Sequence, residues 1–411
     1  LYISGVKILA FSFYFPPHGG PGAIRALKMI KYAAELGAEG AVVCAAEDDY
    51  CVRDESLVSE VPEEFMVLRT PDTSNPLRGI QKRKGDKIHS PKSDFFFLPD
   101  NKLWWKRPAS HLGTIAMPDA DLVWATCPPY TAAIAARGAA KELDVPLVLD
   151  FRDSWTRNPN RPKLPGPHRI INNRMARRNA RASSLVTCVN DAIADEMRQF
   201  APESRIELLP NGYDDADMPE TGKSLSTEGP VNLFYLGTIY PDLNYPLPVL
   251  EAMTDVTDTT LTVVGRYPDN LKSDIERLGL GDRVFLKDYL PHREALALAS
   301  KADAMLLYID GRPLNKGQVT SKTYEYIGLD KPIFACIPHD GEAEQLLGGY
   351  PAATIVPTEN RSAAAEALRS LIEDKRAAFP RKKTSREEPL VLTRKEIAAR
   401  WFDMLHEVVG F

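Results

Sequence analysis

The sequence has no run of apolar residues near the ~20 that a membrane span requires. It shows no signal peptide either: the apolar stretch from Val6 to Phe15 is too short and flows into a motif. Cysteine is scarce. Cys44, Cys51, Cys127, Cys188 and Cys336 are scattered, odd in number and form no C-x-x-C. That excludes a zinc knuckle or a disulfide scaffold and fits a reducing cytosol. Basic excess is also missing: 51 Lys and Arg against 56 Asp and Glu leave a net charge of −5. No global positive field argues for nucleic acid. Internal repeats are not visible, nor is a nucleophile triad.

What is present is an alternating α/β pattern. A chain of 411 residues with 44% hydrophobic content predicts two domains with ample core. Val6 to Phe13 reads as a buried strand, and FPPHGGPG follows. Ala23, Ala26, Leu27, Ile30, Ala33 and Ala34 then recur at helical spacing up to Gly37. Ala41–Ala45 is the next strand. In such a β–loop–α–β opening, ligands gather at the carboxyl ends of strands, and Gly19–Gly20 lets backbone approach one closely. Further strands are predicted at 122–126, 147–151, 185–189 and 206–209, then 232–236, 261–264, 283–286 and 304–308. Residues 213–230 read as a linker. Residues 71–108 read as an irregular insertion, in which Lys and Arg outnumber Asp and mix with Phe95, Phe96, Phe97, Trp104 and Trp105. Basic charge among aromatics marks either a membrane surface or a loop folded onto the core.

Residues 317–337, GQVTSKTYEYIGLDKPIFACI, read as loop, short helix and buried strand. Thr320 or Ser321 is placed to cap the helix, and Pro332 ends it near Asp330. The N–H groups of a helix N-terminus favour an anion, and Lys322 lies in the first turn. Glu325 follows Ser321 by about one turn. One element can therefore hold a phosphate at its tip and a hydroxyl-binding carboxylate behind it, as a nucleotide sugar demands.

The ordered set FYFPPHGGPGAIR, LPDNKLWW, ATCPPYTA, LVLDFRDSW, LLPNGYD, FYLGTIY, VVGR and SKTYEYIGLDKPI resembles the retaining glycosyltransferases of family 4. The resemblance implies an α/β GT-B architecture: two Rossmann-like domains facing across a cleft, at 1–215 and 231–385. A last segment, 386–411, would cross back to the first domain. It implies a UDP- or GDP-sugar donor on the second domain and sugar transfer, with retention, to a hydroxyl of a glycan, lipid-linked or small-molecule acceptor. No cofactor and no divalent metal is expected; no Asp-x-Asp motif placed after a strand is seen. By the same resemblance Glu325 binds the donor ribose, Thr320, Ser321 and Lys322 lie near the diphosphate, and Gly19 and Gly20 face the donor phosphates. Tyr289 and Leu290 read the base, and Arg152 and Asp153 occupy the reaction centre.

The sequence departs from the family in two places. Gly317 stands where the first glutamate of the usual pair would be, and no Lys or Arg occurs from Val231 to Gly265. Asn244 lies where the phosphate-binding cation is expected, so the charge must come from Arg266, Arg312, Lys316 or Lys322. A degenerate, non-catalytic binding protein and a nucleotide-sugar 2-epimerase are the alternatives. A cytoplasmic location follows, with peripheral contact to the inner membrane face through 78–107.

Overall fold

The computed structural model describes residues 5–47, 52–71, 97–159, 161, 164–219, 227–241, 243–377 and 391–410. The chain divides into two units, residues 1–211 with 394–411, and residues 212–393.

The first unit is a seven-stranded parallel sheet in the order β3-β2-β1-β4-β5-β6-β7. Its strands are β1 (Lys7–Phe11), β2 (Glu39–Ala45), β3 (Phe65–Thr70), β4 (Leu122–Cys127), β5 (Leu147–Phe151), β6 (Leu185–Cys188) and β7 (Arg205–Leu208). Its helices are α1 (Pro21–Glu35), α2 (Lys106–Ala116), α3 (Thr131–Leu143), α4 (Gly166–Ala180) and α5 (Asp191–Phe200). Strands β4 and β5 are buried along their whole length, which is why they read as unbroken apolar runs. The first strand ends at Phe11 instead of Phe13, and the Ser12 hydroxyl donates to the Tyr14 carbonyl in the segment that follows.

The insertion is partly resolved into core structure. Residues 72–96, with most of its basic residues and Phe95–Phe96, lie outside the described residues. From Phe97 onward the segment is built in. Trp105 is fully buried and meets Phe11 and Phe13 edge-on, whereas Trp104 is 38% exposed. Asp100 accepts from the Thr131 backbone N–H at 3.0 Å and the Thr131 hydroxyl at 2.7 Å. The motif LPDNKLWW thus caps α3 from a distance.

The second unit is a six-stranded parallel sheet ordered β10-β9-β8-β11-β12-β13. Its strands are β8 (Val231–Leu236), β9 (Thr259–Val264), β10 (Val284–Lys287), β11 (Ala304–Tyr308), β12 (Ile333–Ile337) and β13 (Ala353–Pro357). Helices α6 (Leu247–Asp255), α7 (Asn270–Arg277), α8 (His292–Ala299), α9 (Ser321–Gly328), α10 (Glu342–Gly348) and α11 (Arg361–Arg376) connect or cover them. The start of the expected linker is structured. Tyr213 lies against the Cα of Gly328, where any side chain would collide with its ring, and it bridges to Thr393. Asp214 caps the turn at 215–217 by accepting from the Ala216 N–H at 3.0 Å. The polarity of this stretch serves internal bonds.

The last helix, α12 (Arg394–Val409), belongs to the first unit. Trp401 is fully buried and its ring lies 4.8 Å from that of Trp124 on β4.

One buried ion pair organises the first unit. Asp150, with no exposed surface, takes two bonds from Arg25 of α1, at 3.0 and 2.8 Å. The Thr126 and Thr187 hydroxyls of β4 and β6 also donate to it, at 2.7 and 2.8 Å. Burial alone would raise the Asp150 pKa, but the Arg25 charge and these hydrogen bonds hold it below the usual carboxylate range. The pair therefore stabilises the fold at every pH above the ordinary Asp value and loses that contribution as acid protonates the carboxylate. Arg25→Met and Asp150→Leu should each destabilise the first unit by about 3–5 kcal/mol, because each strands a buried charge. The double variant should lose much less than the sum of the two. Differential calorimetry of the four proteins checks this; additive losses would show that the two groups are not coupled.

Candidate functional site

Each unit reverses its strand order at a point where ligands are expected in open α/β sheets: between β1 and β4, and between β8 and β11. The sequence-selected residues lie mostly at these points.

In the first unit, the loop after β1 leads through Gly19 and Gly20 into α1. The Gly19 N–H donates to the Val52 carbonyl at 3.0 Å, and Gly20 has φ +100° at the helix N-cap. At Gly22 a side chain would strike the Arg152 guanidinium, so glycine there admits the arginine. Arg152 comes from the carboxyl end of β5, and its Nη2 donates to the Pro128 carbonyl. No ion pair joins it to Asp153 among the described residues. Burial raises the Asp153 pKa above the usual carboxylate range against the pull of Arg152, so this carboxyl holds a proton more readily than an exposed one. The remainder of the RDSWT loop is pinned by Glu196 of α5. Its carboxylate accepts from the Ser154 hydroxyl at 2.6 Å, from the Trp155 and Thr156 N–H groups at 3.2 and 2.9 Å, and from the Thr156 hydroxyl. The nearby His18 was not singled out by sequence. Burial, then the positive charges of Arg152 and Lys102, push its pKa down to about 4, so its ring is neutral at pH 7.

In the second unit, α9 begins at Ser321 with Thr320 at the N-cap. The expected side-chain cap does not form. The Thr320 hydroxyl instead pairs with the Thr323 hydroxyl at 3.2 Å, and no other side chain caps the helix. Lys322 turns inward: its ammonium sits 3.8 Å from the centroid of the Tyr235 ring, beside Gly237 at the end of β8. Burial pushes its pKa down to about 7, partly opposed by Glu325. Gly265, after β9, has φ +136°, and a Cβ there would collide with the Gly237 carbonyl. These two strand-end turns therefore approach as closely as backbone allows.

Asn244 is buried. It donates to the Tyr235 hydroxyl at 2.6 Å and the Thr238 carbonyl at 2.9 Å, and accepts from the Tyr240 N–H at 2.6 Å. It shapes the 237–244 loop where a cation was sought. Of the four candidate cations, Lys322 has its ammonium beside Gly237. Arg312 is half exposed and bound to Asp310 at 2.7 Å. Lys316 is exposed on a different loop, with its backbone against Gly341. Arg266 follows Gly265 directly and its carbonyl accepts from the Ile239 N–H at 2.8 Å. Tyr289 and Leu290 are half-buried in the turn between β10 and α8.

Glu325 is buried and its Oε1 lies 3.0 Å from His292 Nε2. His292 Nδ1 lies 3.6 Å from Asp217, which also accepts from Arg293 Nε at 3.0 Å. This chain from Glu325 through His292 to Asp217 was invisible to spacing, since its members lie on three separate elements. The signal that could have found it is Pro291–His292, a helix start at the carboxyl end of a strand. Tyr326 adds a strut, its hydroxyl accepting from the Leu236 N–H at 3.0 Å.

Residues 19–212 match the family described as "Glycosyl transferase 4-like domain". The whole chain has the GT-B fold, shared with solved structures of low identity. HepE from Anabaena, in complex with UDP and glucose, is 17% identical over 98% of this chain and 97% of its own, with a TM-score of 0.62. Sucrose-phosphate synthase from Thermosynechococcus elongatus is 12% identical, covering 98% and 99%, with a TM-score of 0.73. A putative UDP-N-acetylglucosamine 2-epimerase from Listeria monocytogenes is 12% identical, covering 98% and 96%, with a TM-score of 0.58. Among curated proteins no sequence relative matches. No helix among the described residues is long and apolar enough to cross a membrane.

An ammonium that titrates near pH 7 gains a proton when an anion settles beside it. Binding of a diphosphate beside Lys322 should therefore take up protons above pH 7 and almost none at pH 6, and affinity should fall as pH rises through about 7. Calorimetry in buffers of different ionisation enthalpy measures the uptake, which Lys322→Met should abolish. Uptake unchanged in that variant would place the anion elsewhere.

Proposed function

We propose that the chain transfers a sugar from a UDP-sugar to an acceptor hydroxyl, with retention at the anomeric carbon and without a metal ion. The observation that carries this reading is the arrangement on α9. Its N-terminus has no side-chain cap, Lys322 sits at the Gly237 turn, and a buried carboxylate held by His292 lies one turn behind. A diphosphate fits the first pair and a ribose fits Glu325. UDP is preferred over GDP because HepE structures hold UDP and UDP-glucose.

In this mechanism negative charge grows on the leaving diphosphate while the sugar passes through an oxocarbenium-like state. The α9 dipole and Lys322 stabilise that charge. The leaving phosphate takes the acceptor proton. Arg152 adds positive potential, and Asp153, with its raised pKa, orients the acceptor hydroxyl or shares its proton. The acceptor is a glycan, a lipid-linked sugar or a small molecule. The reading also supports peripheral work at the cytoplasmic face of a membrane. A 2-epimerase of the same fold would convert UDP-N-acetylglucosamine into its C2 epimer with no acceptor present, which a transferase does not do.

Glu325→Gln should weaken UDP binding roughly tenfold, about 1.4 kcal/mol, by removing a charged acceptor of the ribose hydroxyls. A 2′,3′-dideoxy nucleotide should be indifferent to the change. Asp153→Asn should lower turnover and leave UDP affinity nearly intact. Unchanged affinity in Glu325→Gln, read by titration calorimetry, would mean that the donor does not sit on α9. Turnover should also persist in excess EDTA; loss that Mg²⁺ or Mn²⁺ restores would overturn the metal-free mechanism.

A further inference from the structure

Helix α4 carries a charge pattern that the reaction does not use. From Ser154 to Asn190 the sequence holds eight Lys or Arg and no Asp or Glu, within a chain of net charge −5. On α4 the buried face is small: Asn172, Ala176, Asn179 and Ala180 meet the core, and Asn172 accepts from the Trp155 indole at 3.1 Å. The opposite face presents Ile170, Arg174, Arg177, Arg178 and, just past the helix, Arg181, at i, i+4, i+7, i+8 and i+11. Ile170 and Ile171 are 54% and 49% exposed, side by side.

Nothing in the described residues neutralises this face. None of these arginines forms an ion pair among the described residues; Arg177 lies over the Phe200 ring, 5.8 Å from its centroid, and Arg181 donates to the Phe200 carbonyl at 3.1 Å. Arg137, on neighbouring α3, adds a like charge close to Arg178, and its Nη1 is buried without a hydrogen-bond partner. Like charges one turn apart destabilise a helix, and exposed isoleucines add no stability to an isolated surface. Both costs are recovered if the face meets an anionic surface with an apolar layer beneath.

We propose that the outer face of α4 docks the protein on an anionic lipid bilayer, with Ile170 and Ile171 entering the acyl boundary and Arg174, Arg177 and Arg178 meeting lipid phosphates. A soluble polyanion would satisfy the arginines but gives the isoleucine pair no apolar partner, so a bilayer accounts for both halves of the face. The proposal rests on α4 alone and is independent of the transferase reading.

The test is sedimentation with vesicles of phosphatidylcholine alone and with about 30% phosphatidylglycerol, at low salt and at about 0.5 M salt. The full chain should bind only the anionic vesicles and release at high salt. Arg174→Glu with Arg178→Glu should lower the partition coefficient at least about tenfold. Ile170→Ser with Ile171→Ser should lower it severalfold while leaving binding to a soluble polyanion such as heparin unchanged. All four positions are exposed, and unchanged melting temperatures would confirm that folding is intact. Absence of binding by the unaltered protein overturns the proposal. So does undiminished binding in the arginine variant, which places the contact outside α4. Binding insensitive to the isoleucines overturns it in favour of a soluble polyanion.

Discussion

The first unit depends on Arg25 and Asp150. Arg25 commits all five of its N–H donors: two to Asp150, one each to the Leu209 and Pro210 carbonyls, and one to the Asn211 side chain. It therefore joins the first turns of α1, the end of β5 and the last residues of the unit at a single guanidinium. The glycine loop precedes Arg25 by a few residues and Arg152 follows Asp150 by two. The positions of both chemical loops are consequences of this one contact. A buried pair of this kind adds little net stability, but its fixed fork geometry tolerates only one arrangement.

Much of the fold is legible in the sequence because its strands are covered on both faces. Leu147–Phe151, Ala304–Tyr308 and Ile333–Ile337 appear as unbroken apolar runs and become β5, β11 and β12 with the same bounds. Two of the four edge strands were missed for the complementary reason, whereas β7 and β10, also at sheet edges, were marked at 206–209 and 283–286. β3 and β13 are only partly buried, so their side chains include exposed or half-exposed residues and no run stands out. The 213–219 stretch was misread because polarity there means capping and ion pairing, which composition cannot separate from solvation. Trp105 likewise looks the same in sequence whether it faces lipid or Phe13.

The site divides along the same line. Lys322 and Glu325 could be placed because a helix start and a one-turn spacing are local properties. What supports them was not legible. His292 reaches Glu325 from another helix, Tyr235 reaches Lys322 from β8, and Asn244 ties its loop through three bonds to neighbours up to nine residues away. The buried pair joins Asp150 of β5 to Arg25 of α1, and Arg152 and Asp153 lie past the end of the strand.

The return of α12 to the first unit has a consequence for the order in which the protein is made. Trp401 fills the core against Trp124, yet the two lie 277 positions apart in the sequence. The first unit cannot seal its core until the ribosome has released the residues of α12, which follow the whole of the second unit. The second unit, by contrast, is continuous from Gly212 to Thr393 and has every strand in hand earlier. The usual amino-terminal-first sequence of domain maturation during synthesis is therefore inverted at the last step. The unit translated first waits for α12, and a stop codon ahead of Arg394 would damage the core built from residues translated much earlier.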